Sequence, residues 1–509
     1  MNEFTHLIDL ASARLGGEAV ATNDDFFAEK ENLVKAEAPV FIPGKYTDRG
    51  KWMDGWESRR RRTPGHDWCI VKLGLPGIVH TFVVDTSFFT GNFPTHCWID
   101  GCGLPPGADP TADSVEWHPV LGRVELAGDS KNPFTVPPGN ATRRLTHLRL
   151  NIFPDGGVAR LRAMGEVVPD WTRILSVGRD VDLTAVVNGG YVVDTSDRFY
   201  GDARNMLMPY RAANMGDGWE TKRRRGPGHD WVVLRAGIAG AIRRIELDTA
   251  HFKGNYPDSA SVEGAVMPDE HGGVSADVAT RTSAHWQMVL PQTKLQPDHV
   301  HPFEAELTRD VVATHIRLNI FPDGGVSRFR VFGSPTPAAR RDAVLRQLNA
   351  LDAPELRAEL ALFCGAPSWI DRMAAARPYA KPEDVLRAAE AAAGDVSADG
   401  WREAFRHHPR IGERAAERSQ SLAASDASAR EQAAVQQAAA ADIAALAEGN
   451  RAYEDRFGHV FIVCASGRSA PEMLAMLRER MNNDPATELQ VAAAEQRKIT
   501  RLRLERVLG

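Results

Sequence analysis

The chain carries two copies of one long pattern, and this duplication limits its architecture more than any other feature. The segment WESRRRRTPGHDW, Trp56 to Trp68, returns 163 residues later as WETKRRRGPGHDW, Trp219 to Trp231, with ten of thirteen positions identical. HLRLNIFPDGGV from His147 returns as HIRLNIFPDGGV from His315, and VVDTSFFTGNFP around Asp85 returns as ELDTAHFKGNYP around Asp248. The blocks keep their order. A solenoid unit runs about 20–50 residues, whereas this period has the size of one ordinary domain. A whole domain has been duplicated. At 509 residues the chain also exceeds a single core, which stops growing near roughly 250–300 residues, so at least three domains are expected.

Within each copy, short runs of alternating apolar and polar residues stand between Gly, Pro, Asn and Asp clusters, as in TRRLTHLRLNIFPDGG. That pattern predicts antiparallel strands. Each copy reads as an all-β sandwich of the jelly-roll kind, over 1–170 and 171–335. After SPTPAARR the texture changes to Ala, Leu, Glu and Arg with apolar residues at helical spacing, which predicts an all-α domain over 340–509. The linker before it is read from Gly333, Ser334, Pro335 and Pro337, which disfavour continuing either strand or helix. The Ala-rich run Arg430 to Asn450 lacks sustained heptads and reads as a bundle helix.

Composition narrows the function. An apolar fraction of 43% with 25% charged residues is ordinary for a folded globular chain. The net charge of −6 is spread through both signs, without the one-sided basic field that nucleic acid or a membrane surface requires. Small-molecule substrates are the expected partners, and a homo-oligomer is compatible with them. Cys69, Cys97, Cys102, Cys364 and Cys464 form no CxxC pair and no disulfide framework. With no apolar run of about 20 residues, no secretory leader and no Ser-Lys-Leu ending, the expected compartment is the cytoplasm.

On the strand around Leu148, Leu150 and Ile152, a two-residue period turns those three to the core and gathers His147, Arg149 and Asn151 on the other face. The second copy repeats this with His315, Arg317 and Asn319, and both strands enter a Pro-Asp-Gly-Gly turn. A plain solvated face, with Asp155 and Asp323 as mere turn residues, is the bland reading. Two copies that kept the same polar residues favour a binding face instead. The cation runs Arg59 to Arg62 and Lys222 to Arg225 are bracketed by aromatic and turn residues, which predicts at least one guanidinium directed inward onto a carboxylate. His66 and His229 are candidate proton-transfer groups beside Asp67 and Asp230, although neighbours on a strand face opposite ways. His299 and His301 have the spacing of ligands on one strand, but the first copy lacks them and no HExxH occurs. No metal is expected.

The paired GWE-[ST]-[RK]-RRR-x-PGHDW and LNIFPDGG blocks resemble those of the allantoicase family over roughly residues 1–335. The resemblance implies hydrolysis of allantoate to ureidoglycolate and urea on two similar jelly rolls. Allantoate needs a cation for its carboxylate, donors and acceptors for its ureido groups, and a general acid for the departing nitrogen. The Arg, Asn, Asp and His of these blocks supply that set, in one site or two.

In the helical region, Pro409 disfavours helical geometry at His408, so a helix begun near Ser397 should end there, where its C-terminus favours imidazolium. Ser428 to Gln432, SAREQ, has capping-box spacing, and NRAYEDRFGHVFIVCASGRS contains a short apolar run. Each is weak alone. In order, HPRIG, S-x-x-EQ, N-x-x-Y-x-x-[RK]-FG-x-x-F-[IV]-[VI]-CA-x-GRS and L-x-x-R-x-x-ND-x-x-x-E resemble the 2-oxo-4-hydroxy-4-carboxy-5-ureidoimidazoline (OHCU) decarboxylase family over about 165 residues. The resemblance implies His408 and Glu431 as catalytic residues. It makes Pro409, Ser428, Gln432 and the main chain of Phe461, Ile462, Val463, Cys464 and Ala465 the substrate-binding set. It implies no metal or organic cofactor, because the conjugated ring accepts the electron pair released with carbon dioxide. One departure is the Ala/Arg/Ser-rich stretch Arg414 to Asp426. The rival reading takes the sandwiches as binding modules for a small polar ligand, with Trp56 and Trp68 as platforms, attached to a helical decarboxylase. A helical part serving assembly alone is opposed by intact His408, Glu431 and Gln432.

Overall fold

The computed structural model describes residues 7–267, 285–308, 310–406, 408 and 444–508. These form two compact units, Met1–Asp352 and Ala353–Gly509. The first holds two eight-stranded antiparallel sheets of matching topology, one per repeat. In the first repeat the order is Ile8–Asp9, Arg160–Val167, Asp67–Asp85, Leu145–Phe153, His96–Cys102, His118–Glu125. The 19-residue strand Asp67–Asp85 organises the sandwich. Its first part pairs with Glu18–Thr22 and Leu145–Phe153, and its last part with Lys131–Thr135 and Arg160–Val167. One strand thus serves both layers. Asp230–Asp248, of the same length, does this in the second repeat.

Alternation of apolar residues fills the space between layers: Leu148, Leu150 and Ile152, like Ile316, Leu318 and Ile320, are fully buried. The Pro-Asp-Gly-Gly turn is required by close packing. Gly156 and Gly324 sit at φ 136° and 137°, where a side chain is strained. A Cβ on Gly157 or Gly325 would lie about 2 Å from the ring of Phe89 or Phe252. The glycine pair that both repeats share is therefore structural.

The linker differs from the sequence expectation. Gly333 to Pro335 belong to the strand Arg328–Pro335, and Pro337 opens the helix Pro337–Ala350, with Thr336 between them as N-cap accepting from Ala339 N. Proline suits both positions, since a strand end and the first helical turn need no N–H donor there. That helix lies in the first unit: Gln347 accepts from Thr172 N at 3.0 Å, and Arg144 N donates to Ala350 O at 2.8 Å. The second unit is helical as expected, with Ala353–Ala361, Pro367–Ala375, Pro382–Gly394, Ala398–Arg406, a helical stretch over 444–457, Ala470–Arg480 and Pro485–Leu508. None of the described helices is long and apolar enough to cross a membrane.

Candidate functional site

In each repeat the strand carrying the His-Arg-Asn triplet is central, flanked by the long strand and by His96–Cys102 or Ser259–Ala265. Its polar face is only partly solvated: Asn151 is 1% and Asn319 5% exposed, while the Arg149 and Arg317 side chains are half-buried. What satisfies these groups is a carboxylate from the neighbouring strand. In the first repeat Asp100 accepts from Arg149 Nη2 at 3.0 Å and Asn151 Nδ2 at 2.9 Å. In the second, Glu263 accepts from Arg317 Nε at 2.7 Å, Arg317 Nη2 at 2.7 Å and Asn319 Nδ2 at 2.9 Å. Each guanidinium also lies over an indole, Arg149 over Trp117 at 4.9 Å and Arg317 over Trp286 at 4.6 Å.

The basic loops close over these clusters. Arg61 donates to Asp67 at 2.5 Å and Arg224 to Asp230 at 2.5 Å, so one guanidinium of each run does turn inward. Asp155 and Asp323 do more than shape turns: their carboxylates accept the Arg61 and Arg224 main-chain N–H at 2.8 Å, fastening the loop to the Pro-Asp-Gly-Gly turn. His66 and His229 are half-buried at the loop ends. The His66 ring lies 4.5 Å from Trp98, while His229 lies 4.6 Å from Phe321 and places Nε2 3.3 Å from Asn319 Oδ1. His229 therefore joins the Arg-Asn cluster directly. His147 is buried beside Lys72, and burial first, then that cation, lowers its pKa to about 4.

Some buried donors of these clusters lack a partner among the described residues. Arg149 Nε is buried with no partner among the described residues, whereas its counterpart Arg317 Nε is held by Glu263. Arg61 Nε and Arg224 Nε are likewise buried and unpartnered among those residues. Asp100, Glu263, Trp117 and Trp286 escaped the sequence reading. Asp and Glu differ between copies, and the tryptophans recur at an offset of 169, displaced from the main period by unequal loops. The pair EWHPVL and HWQMVL was the one signal that pointed to them.

His301 is a structural histidine. Its Nε2 accepts from Gln296 N at 2.8 Å, so Nδ1 carries the proton and donates to Leu247 O at 3.0 Å. Neither nitrogen remains for a metal.

In the helical unit, Ala398–Arg406 ends just before His408, whose N–H donates to Phe405 O at 3.1 Å. Phe405 lies 5.0 Å from His459, which contacts Tyr453 at 5.5 Å. This aromatic chain brings the helix end carrying His408 to the segment that follows His459. Phe461, Ile462, Val463 and Cys464 are all buried, and Ala465 is exposed. The run forms no regular element. Pro409, Ser428, Glu431 and Gln432 lie outside the described residues.

Comparison with known proteins matches both patterns. The allantoicase repeat profile fits residues 8–168 and 181–336, and the OHCU decarboxylase profile fits residues 349–505. A probable allantoicase of Burkholderia mallei is 48% identical over 333 residues, 65% of this chain and 96% of that protein. A probable allantoicase of Pseudomonas aeruginosa is 49% identical over 332 residues, 65% of this chain and 97% of that protein. The crystal structure of allantoicase from Saccharomyces cerevisiae is 33% identical, covers 65% of this chain and 94% of its own, and superposes with a TM-score of 0.53. The chain belongs to the allantoicase family, with an OHCU decarboxylase domain following its two repeats.

Proposed function

We propose that the chain is a bifunctional enzyme of allantoin metabolism, hydrolysing allantoate to ureidoglycolate and urea in its repeats and decarboxylating OHCU to (S)-allantoin in its helical unit. The observation that carries the first activity is the buried Arg149 Nε without a partner among the described residues, set beside Asp100, Asn151 and the Trp117 face. A half-buried guanidinium with an open donor suits two-point binding of a carboxylate. Asn151 Oδ1 and the Asp100 carboxylate would accept from the N–H groups of the ureido arms, and we assign His66, at the loop end, the protonation of the departing nitrogen as water adds to the central carbon. The second repeat carries the same residue types, with Arg317 Nε and Nη2 held by Glu263. We assign it Arg317, Asn319 and His229 as a supporting or second site.

In the helical unit, loss of carbon dioxide leaves an electron pair in the imidazoline ring, and His408 delivers the proton that sets the product's hand. Glu431 orients that histidine or the substrate hydroxyl, and Gln432 pairs with the amide groups. The main chain of Phe461 to Ala465 and the ring of Pro409 complete the pocket, with Ser428 at its edge.

Urea release from allantoate by the purified protein tests the first assignment, comparing wild type with His66→Ala and His229→Ala. The expected result is release by wild type, a strong loss in His66→Ala and a smaller one in His229→Ala. No release by wild type, with or without added divalent metal, would overturn it and favour the sandwiches as binding modules.

A further inference from the structure

One motif of the helical unit, L-x-x-R-x-x-ND-x-x-x-E, has no part in the chemistry above. Its residues converge inside the protein. Arg480 and Glu488 form a buried ion pair at 2.5 Å, with Glu488 0% and Arg480 6% exposed at the side chain. Asn483 Nδ2 donates to Glu488 at 2.6 Å, and the Tyr453 hydroxyl donates to the same carboxylate. Such a pair is worth little as net stabilisation, because desolvation offsets most of the attraction. Its use lies in what else Arg480 touches: Nη1 donates to the main-chain carbonyl of Ile462 at 2.8 Å.

A second buried carboxylate acts two residues further on. Glu495 accepts the main-chain N–H of Cys464 at 2.8 Å, with Lys498 at 2.6 Å and Arg468 at 3.8 Å. Burial pushes the Glu495 carboxyl up, but the bonds from Lys498 and the Cys464 N–H, with both cations, outweigh it and hold the group below its usual range. Phe461 and Val463 meanwhile enter one apolar cluster with Leu446, Tyr453, Leu474 and Leu477. Phe461 and Val463 thus share an apolar contact, while the main-chain groups held by Arg480 and Glu495 belong to the residues that alternate with them, Ile462 and Cys464.

We propose that Arg480 and Glu495 are positioning residues that hold the Ile462 carbonyl and Cys464 N–H from behind, so that the main-chain groups of Phe461 and Val463 are presented to the substrate's amide and ureido groups. Glu488, Tyr453 and Asn483 fix the orientation of Arg480. This rests on the helical unit being an OHCU decarboxylase. The fourth motif thereby acquires a function. An irregular segment cannot be held by a sheet ladder, so two ionised side chains from the helices Ala470–Arg480 and Pro485–Leu508 replace the missing strand.

The test is steady-state decarboxylation of OHCU by the full-length protein, followed as optically active allantoin, for wild type, Glu495→Ala, Glu495→Gln and Arg480→Lys. Glu495→Ala should raise KM about tenfold while kcat changes little, and Glu495→Gln, which keeps an acceptor for Cys464 N–H, should recover most of the loss. Arg480→Lys keeps the charge beside Glu488 but cannot also reach Ile462 O, and should raise KM in the same way. A merely structural role would lower the folded fraction and hence kcat, leaving KM unmoved. That pattern in both positions would overturn the proposal, and if Glu495→Ala fails to fold, Arg480→Lys decides alone. Wild type that yields no optically active allantoin would instead overturn the reading of the unit, and the inference with it.

Discussion

The two repeats hold the same arginine, asparagine and histidine on the same strands, yet one methylene separates their clusters. Glu263 reaches Arg317 through both Nε and Nη2, whereas the shorter Asp100 reaches only Nη2 of Arg149. The longer acid closes its arginine off, and the shorter one leaves a donor open. Trp98 stands where the second repeat has Ser261, so His66 rests on an indole while His229 reaches Asn319. After duplication, the second cluster is the more tightly knit and the first the more available.

The sharpest way to break this comparison is to remove each arginine. Arg317→Ala strands the Glu263 carboxylate, whose side chain is 17% exposed, and should cost about 3 kcal/mol in denaturant unfolding. Arg149→Ala also strands a carboxylate, Asp100 at 13% exposed, but removes one contact rather than two, so it should cost less in unfolding while lowering kcat/KM for allantoate about 100-fold, the value of a lost charge-assisted bond. Equal effects of the two changes on both measurements would erase the distinction.

Acid unfolding probes the first repeat separately. His147 has its folded pKa lowered to about 4 from 6.5, so the unfolded chain takes up the proton first as pH falls. The stability this neutral histidine permits is intact above pH 6.5 and is lost progressively toward pH 4, about 3 kcal/mol in all. His147→Gln should flatten that slope in urea titrations at stepped pH. An unchanged slope would show that His147 does not set the acid limit of the first repeat.

A smaller effect should follow from exchanging the acids. Asp100→Glu gives Arg149 a second prong and should raise KM for allantoate about tenfold by occupying the open Nε. Glu263→Asp should leave urea release close to wild type. The least effect is expected at Trp117→Phe, where a weaker ring under Arg149 costs about 0.5–1 kcal/mol of cation–π attraction, seen as a small fall in the unfolding midpoint.

Much of this was legible in the residues. The duplication, the sandwich class and the helical end followed from period and pattern, and the inward turn of Arg61 and Arg224 followed from the aromatic and turn residues that bracket them. The carboxylates were missed because strand pairing, which brings Asp100 opposite Arg149 and Glu263 opposite Arg317, depends on register between distant segments. The bland reading of the His-Arg-Asn face as merely solvated fails for a physical reason. A central strand has both faces covered, and polar residues remain there by pairing with one another. The linker was misread because proline was taken as a breaker on both sides, when it stands at a strand end and at a helix start. The Arg480–Glu488 pair lay within a recognised motif, but nothing in its spacing revealed that Arg480 reaches the carbonyl of Ile462.

The central claim is that two separate activities reside in the two units. The most direct measurement supplies the full-length protein with allantoate and, separately, with OHCU, in wild type, Arg149→Ala and His408→Ala. Urea release should persist in His408→Ala and collapse in Arg149→Ala, while formation of optically active allantoin should do the reverse. Loss of both activities in either variant without loss of fold, or no urea from wild type, would contradict the account.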